Sequence, residues 1–216
     1  MTKRKSFSSI LYGVAILGVL GFLYGVATDN HLVRMISKPL PVAVLLVLLK
    51  PDTRFKRLIY LGFLFSLVGD ILLETADSLF VFGLVSFLTA HVFYISAFLK
   101  RKKDNALITA GVLVLFGGIY YWFLHPGLGE MAIPVLVYIA VILTMVWSSF
   151  AQRNHDAYAG YAVAGALFFM LSDSLIAYTK FYASLEYSRY VIILTYWLAQ
   201  YLIFFTAMHE KTKTYS

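Results

Sequence analysis

None of the 216 residues is a cysteine, so the chain can form neither a disulfide nor a thiolate metal site. Charge is scarce as well. Asp, Glu, Lys and Arg together make up 13% of positions, whereas soluble domains carry about a quarter. Water is therefore not the solvent that most of this chain meets. Several chemical motifs are also missing. There is no HExxH or paired-histidine helix, and His91 is the only histidine well inside an apolar stretch, which argues against a zinc hydrolase. No GxSxG elbow and no phosphate-cradling glycine loop occurs. Acidic residues are the scarcer sign, 11 against 18 basic, for a net charge of +7. The basic residues lie in short loops beside apolar runs, where they orient a membrane protein and meet anionic head groups. No nucleic-acid partner is expected.

What is abundant is apolar length. Hydrophobic residues fill 61% of the chain, in runs of about 18 or more, the length that lets a helix cross roughly 30 Å of hydrocarbon. A soluble fold of this size lacks the interior to hide so many of them. The pattern predicts an all-α integral membrane protein with eight transmembrane helices, at 7–27, 32–49, 58–75, 79–99, 106–124, 131–150, 158–179 and 189–208. Residues 1–216 then form a single multi-pass membrane domain with no separate soluble part. Lys3-Arg4-Lys5 precedes an apolar run with no clear small-residue cleavage site, so the first span is expected to be retained rather than removed as a signal peptide. The second span is the least regular. It contains Arg34, Lys38, Pro39 and Pro41, and its fully apolar part, Val42 to Leu49, is too short to cross alone.

With eight spans, 14 of the 18 basic residues fall on one side; the other four are Arg34, Lys38, Lys180 and Arg189. The positive-inside bias then puts the protein in the cell membrane with both termini cytoplasmic. Two segments echo each other: Phe65-Ser-Leu-Val-Gly-Asp70-Ile-Leu in the third span and Phe168-Phe-Met-Leu-Ser-Asp173-Ser-Leu in the seventh. A weaker echo links Ser86–His91 with Thr195–Gln200. The pairs lie four spans apart, which fits two parallel four-helix halves. Chance resemblance between apolar segments is the competing explanation.

Ionisable groups inside a span cost at least a few kcal/mol unless a partner or a polar cavity receives them. Asp70 and Asp173 lie roughly 8–10 Å inside the outer ends of spans three and seven, and Lys38 about as deep in span two, counting about 1.5 Å per residue. His91 and Gln200 lie at roughly 15 Å by the same count. Five polar side chains from five helices thus share one layer. A buried Lys–Asp pair with polar helix-to-helix hydrogen bonds would explain them structurally; a site would explain them functionally. Glu74 shares a helix face with Asp70 but lies near the outer interface and reads as solvated. Most of the 16 tyrosines suit interfacial belts, although Tyr94 and Tyr196 could line a cavity.

The combination of Lys38-Pro39, Gly69-Asp70, the Gly83–Tyr94 stretch with His91, Ser172-Asp173-Ser174 and Tyr196-Trp-Leu-Ala-Gln200 resembles the YhhN-like lysoplasmalogenase family. The resemblance runs from span two to span eight. It implies an eight-span ether hydrolase that cleaves the vinyl-ether bond of lysoplasmalogens, releasing a fatty aldehyde and a glycerophospho-ethanolamine or -choline. The family's intramembrane aspartates correspond to Asp70 and Asp173, and its Lys-Pro to Lys38-Pro39. Such a reaction needs a proton on the β-carbon and water on the resulting oxocarbenium ion, work that paired carboxylates can divide. Asp70 and Asp173, with His91, are the catalytic candidates; Lys38 is the expected phosphate anchor, and Tyr94, Tyr196 and Gln200 the substrate-binding wall. The expected partners are a lysophospholipid substrate and membrane lipids, and no metal or organic cofactor is required. A proton-coupled transporter of a small amphiphile is the alternative, since repeated halves and buried carboxylates serve that equally well.

The charge distribution yields a direct expectation. A reporter that is active only in the cytoplasm, fused after Ser216, should be active. A silent C-terminal fusion beside an active fusion in the loop at Arg189 would invert the topology.

Overall fold

The computed structural model describes residues 2–210, with side chains described from residue 7 onward; Lys211 and Lys213, and the side chains of Lys3, Arg4 and Lys5, fall outside that description. Among the described residues all regular structure is helical. The helices are α1 (Thr2–Ala27), α2 (His31–Ser37), α3 (Leu40–Leu48), α4 (Arg54–Thr75), α5 (Phe80–Lys100), α6 (Leu107–Leu128), α7 (Ala132–Ala151), α8 (Ala159–Phe181) and α9 (Ser188–Met208). Seven stretches are long and apolar enough to cross a membrane. Their outward faces carry large apolar side chains that water would not tolerate in such number; Ile108 is 87% exposed and Trp122 77%. The chain is a multi-pass membrane protein in which hydrocarbon covers those faces.

Two stretches differ from uniform rods. The span expected at 32–49 is broken into α2 and α3 at Lys38-Pro39. Pro39 and Pro41 offer no N–H to the carbonyls one turn back, so the hydrogen-bond ladder stops there. Residues Leu107–Ala151 form one apolar stretch of 45 residues, about 68 Å of helix at about 1.5 Å per residue, or roughly twice the hydrocarbon thickness. It folds back on itself. Gly129, at φ +50, ends α6 in the left-handed region that glycine enters without strain. Along the hairpin, Leu124 and Leu128 pack with Val135, Gly117 faces Ile139 and Leu143, and the Trp147 indole donates to the Asn105 carbonyl at 2.9 Å. The helix passes through Pro126 instead of stopping at His125-Pro126-Gly127; Pro126 forfeits its bond to the carbonyl one turn back, and only Gly127 and Leu128 follow it in α6. Gly127 lets the Phe181 carbonyl come so near that a Cβ would sit 1.9 Å from it.

The most intimate contacts pair α4 with α5 and α8 with α9. Small residues make this possible, because two helix backbones approach closely only where no side chain stands between them. Gly62 lies under the Tyr94 ring, Gly69 under Phe87, and Gly165 under the Ala199 carbonyl and Ile203. Each pair also carries a serine bonded across it: Ser86 Oγ donates to the Phe65 carbonyl at 2.6 Å, and Ser172 Oγ to the Ile192 carbonyl at 3.1 Å. At one end of the bundle the buried Arg101 guanidinium lies 4.4 Å from the Phe55 ring centre and binds Asp156 and Glu210, while Arg153 pairs with Asp104. The opposite end holds Arg34, Lys38 and Glu74.

The packing makes a measurable demand on Gly62. A Cβ there would stand 2.1 Å from Tyr94 Cε1, whereas one at Gly13 would meet nothing within 4 Å. Gly62→Ala should lower the thermal midpoint in detergent by an amount equivalent to about 1–3 kcal/mol. Gly13→Ala should not lower it. Equal midpoints for wild type and Gly62→Ala would refute the close approach of α4 and α5.

Candidate active site

Asp70 lies in the last two turns of α4, 1% exposed. The Tyr196 hydroxyl, from α9, donates to its Oδ2 at 2.7 Å. One turn earlier on the same face of α4 is Ser66, and one turn further along α9 is Gln200; both are fully buried. The Tyr94 hydroxyl of α5 joins these two rows, donating to Gln200 Oε1 at 2.8 Å and lying 3.4 Å from Ser66 Oγ. The i,i+4 spacing of Ser66 with Asp70 and of Tyr196 with Gln200 lets two helices present matching polar pairs. Buried polar groups that lose water must find such partners or cost several kcal/mol each.

Asp173 belongs to a second polar group. The Tyr138 hydroxyl of α7 donates to its Oδ2 at 2.5 Å, and His91 Nε2 of α5 lies 3.6 Å from the same oxygen. That separation is an electrostatic contact and too long for a hydrogen bond; among the described residues neither nitrogen of the fully buried His91 ring has a hydrogen-bond partner. The two aspartates are each hydrogen-bonded by a different tyrosine. Aromatic rings link the two groups: Phe87 and Phe169 both meet Tyr196 edge-on, and Phe169 also meets His91, with centroids 4.6 Å apart. His91 therefore accompanies Asp173, while Tyr196 accompanies Asp70.

Lys38 departs from the role of a free anchor. Its ammonium bonds Glu74 Oε2 at 3.1 Å, while Arg34 Nε takes Oε1 of the same carboxylate at 2.9 Å. Glu74, expected to be solvated, is ion-paired with only 14% of its side chain exposed. The helix break at Pro39 holds α2 beside the end of α4, so that Arg34 and Lys38, one turn apart, converge on one acid. These groups line a polar vestibule of ≈ 390 Å³ that also contains His31, Asp77 and Arg189. A second, narrow apolar cleft of ≈ 50 Å³ lies between α4–α5 and α6–α8, lined by Leu84, Phe116, Ile142 and Met170, with Asp173 as its one carboxylate and Tyr138 beside it. Leu73 borders both spaces. Arg34 and Tyr138 were not recognisable as site residues from the sequence. Arg34 did carry a signal, its i,i+4 spacing from Lys38, whereas Tyr138 resembles any belt tyrosine.

One cluster has metal-ligand spacing, His155, Asp156 and Glu210, with ligand atoms within 4.8 Å of one another. The Arg101 guanidinium already supplies positive charge to both carboxylates. The cluster lies at the Phe55 end of α4, away from Asp70.

Residues 33–207 match the sequence profile of the YhhN family, a span that takes in every polar residue described above from Arg34 to Gln200. The chain belongs to the YhhN family. It is 38% identical over 163 residues to the human lysoplasmalogenase TMEM86A, an alignment that covers 71% of this chain and 66% of that protein. It is 33% identical over 177 residues to human lysoplasmalogenase TMEM86B, covering 80% and 74%. The lysoplasmalogenase of Mycobacterium tuberculosis is 32% identical over 162 residues, covering 71% and 61%. The alignments thus take in less than two thirds of the length of two of these three relatives, 66% and 61%. No solved structure matches it.

Separate tyrosine donors for the two aspartates predict independence. Tyr196→Phe and Tyr138→Phe should each destabilise the protein by about 1–3 kcal/mol, the cost of depriving a buried acceptor of its donor. The double variant should lose the sum to within about 0.5 kcal/mol, as for sites without shared partners. A larger coupling, read from thermal or denaturant unfolding, would mean that the carboxyl groups act as one unit.

Proposed function

We propose that this chain is a membrane-embedded lysoplasmalogenase: it hydrolyses the vinyl-ether bond of a lysoplasmalogen to a fatty aldehyde and a glycerophospho-ethanolamine or -choline. The observation that carries this reading is the junction at Leu73 of two unlike spaces, a cation-rich vestibule and an apolar cleft with Asp173 in its wall. A single-chain phospholipid is divided in the same way. Its phosphate suits Lys38 and Arg189, its alkenyl chain suits the cleft, and the vinyl ether between them falls at the depth of the carboxyl groups. The cleft is narrow, so a bound chain spreads its walls. The names of the relatives support the same substrate class.

In the proposed reaction Asp173 delivers a proton to the β-carbon of the vinyl ether, and the C=C electron pair forms the new C–H bond. The ether-bearing carbon becomes an oxocarbenium ion, which the faces of Phe87, Phe169 and Tyr196 can stabilise. Asp70, held by the Tyr196 hydroxyl, accepts a proton from water as the oxygen adds to that carbon. The hemiacetal then collapses: its C–O bond to glycerol breaks, the glycerol oxygen takes the proton held by Asp70, the hemiacetal hydroxyl returns its proton to Asp173, and the aldehyde leaves. One water is consumed. Tyr138, hydrogen-bonded to Asp173, keeps that carboxyl group oriented, and His91 stands against the same oxygen as a catalytic neighbour. The Tyr94–Gln200 bond fixes the α5–α9 contact one turn from Tyr196.

The topology proposed with this activity has eight crossings, since the 45-residue stretch doubles back. Both termini lie in the cytoplasm of a cell-membrane protein, and the vestibule opens outward. The matching α4–α5 and α8–α9 pairs favour two four-helix halves. A proton-coupled transporter of a small amphiphile is the reading that the assay must separate.

Purified protein in detergent should release aldehyde from an alkenyl lysophospholipid, where a transporter would release none. Asp70→Asn and Asp173→Asn should each lower turnover at least 10²-fold, on the order of what general acid–base groups contribute, and remain monodisperse. Near-wild-type turnover in either variant would eliminate the two-carboxylate mechanism.

A further inference from the structure

The ion pairs in the vestibule are unequal. Arg34 is held at three points: Nη1 donates to Asp29 Oδ1 at 2.9 Å and to the Gly25 carbonyl at 3.3 Å, and Nε to Glu74 Oε1 at 2.9 Å. With 7% exposure it has nowhere to swing. The Lys38 ammonium has one hydrogen bond among the described residues, to Glu74 Oε2, although an ammonium carries three donors on a flexible stem. Glu74 is tied at both levels: His31 Nε2 donates to its main-chain carbonyl at 2.6 Å, and the immobile Arg34 pins Oε1 of its carboxylate. The vestibule thus holds a fixed carboxylate with one permanent cation on Oε1 and one replaceable cation on Oε2.

We propose that Glu74 is a specificity-determining residue that selects a zwitterionic head group with a primary ammonium, by exchanging its Lys38 partner for that ammonium. The inference rests on the proposed lysophospholipid site. When the phosphate enters, Lys38 turns to it and leaves Oε2. Ethanolamine brings its own ammonium, which donates to the vacated oxygen, so the number of ion pairs is conserved. An anionic phosphoglycerol head group draws Lys38 away and returns hydroxyl donors but no positive charge, leaving a carboxylate that is 86% shielded with half its cations. A mostly buried charge that loses a partner is costly. Choline is intermediate: its positive charge satisfies Glu74 electrostatically, but it has no N–H to donate. The expected order is ethanolamine, then choline, then phosphoglycerol.

Saturated 1-alkyl lysophospholipids with these three head groups test the exchange without any chemistry, because they lack the vinyl ether. Wild-type protein, followed by titration calorimetry, should bind the ethanolamine form about tenfold or more tightly than the phosphoglycerol form, the scale of one charge-assisted hydrogen bond. Glu74→Gln should bring that ratio to about one, mostly by improving phosphoglycerol binding, since Lys38 is then released without cost. Glu74→Asp, which keeps the charge, should retain the order with weaker affinities. The proposal is overturned if wild type binds phosphoglycerol as well as ethanolamine, or if Glu74→Gln keeps the wild-type ratio. If Glu74→Gln does not fold, the wild-type and Glu74→Asp rankings decide alone. Ranked binding without aldehyde release from the alkenyl lipid would refute the hydrolase reading and leave the head-group selection standing. No binding of any of the three would refute both.

Discussion

A carboxyl group placed within an apolar helix bundle needs a donor from another helix, and the arrangement of this protein follows from meeting that need twice. Asp70 on α4 is met by Tyr196 of α9, and Asp173 on α8 by Tyr138 of α7. Lipid offers no hydrogen bonds, so each acid aligns its partner helix in both depth and rotation. The Tyr94–Gln200 bond then ties α5 to α9 across 106 residues of sequence. Five of the helices are positioned by side chains whose polarity would be a liability anywhere else in the bilayer.

The polar contacts depend in turn on close packing. Hydroxyl groups reach their targets only because Gly62 and Gly69 let aromatic rings of α5 lie against the α4 backbone. Between helices that lipid covers equally well, there is little hydrophobic gain from association, so fit and hydrogen bonding carry the specificity. The aromatic cluster of Phe87, Phe169 and Tyr196 serves two ends. It fills the space between the two polar groups, and in the proposed reaction it offers ring faces to the developing positive charge.

Electrostatics divides the molecule by depth. The end near Arg101 is rich in fixed basic residues paired with Asp156, Glu210 and Asp104, a structural arrangement that suits an anionic membrane surface. The end near Glu74 has fewer charges, but they are packed around one shared carboxylate and open to a cavity. Similar residue types are therefore locked in place at one end and, in the proposed function, serve recognition at the other, where a cavity reaches them.

Much of this was legible in the sequence. Long apolar runs need only composition to declare themselves, because a helix is the one single-segment solution to satisfying backbone groups in hydrocarbon. Buried aspartates are conspicuous because they are expensive, and so Asp70, Asp173 and Lys38 stood out. Depth along each helix could be counted, which placed His91 and Gln200 near the same layer. Rotation about each helix axis and the partner across the interface could not, since they depend on how neighbouring helices pack. That is why the two aspartates proved to have separate tyrosines, why Glu74 turned out to be ion-paired, and why Tyr138 gave no sign of its role. The sequence by itself determined which groups must be buried and how deep, because burial cost belongs to the residue. Only the tertiary structure decided which groups meet, because a hydrogen bond belongs to a pair.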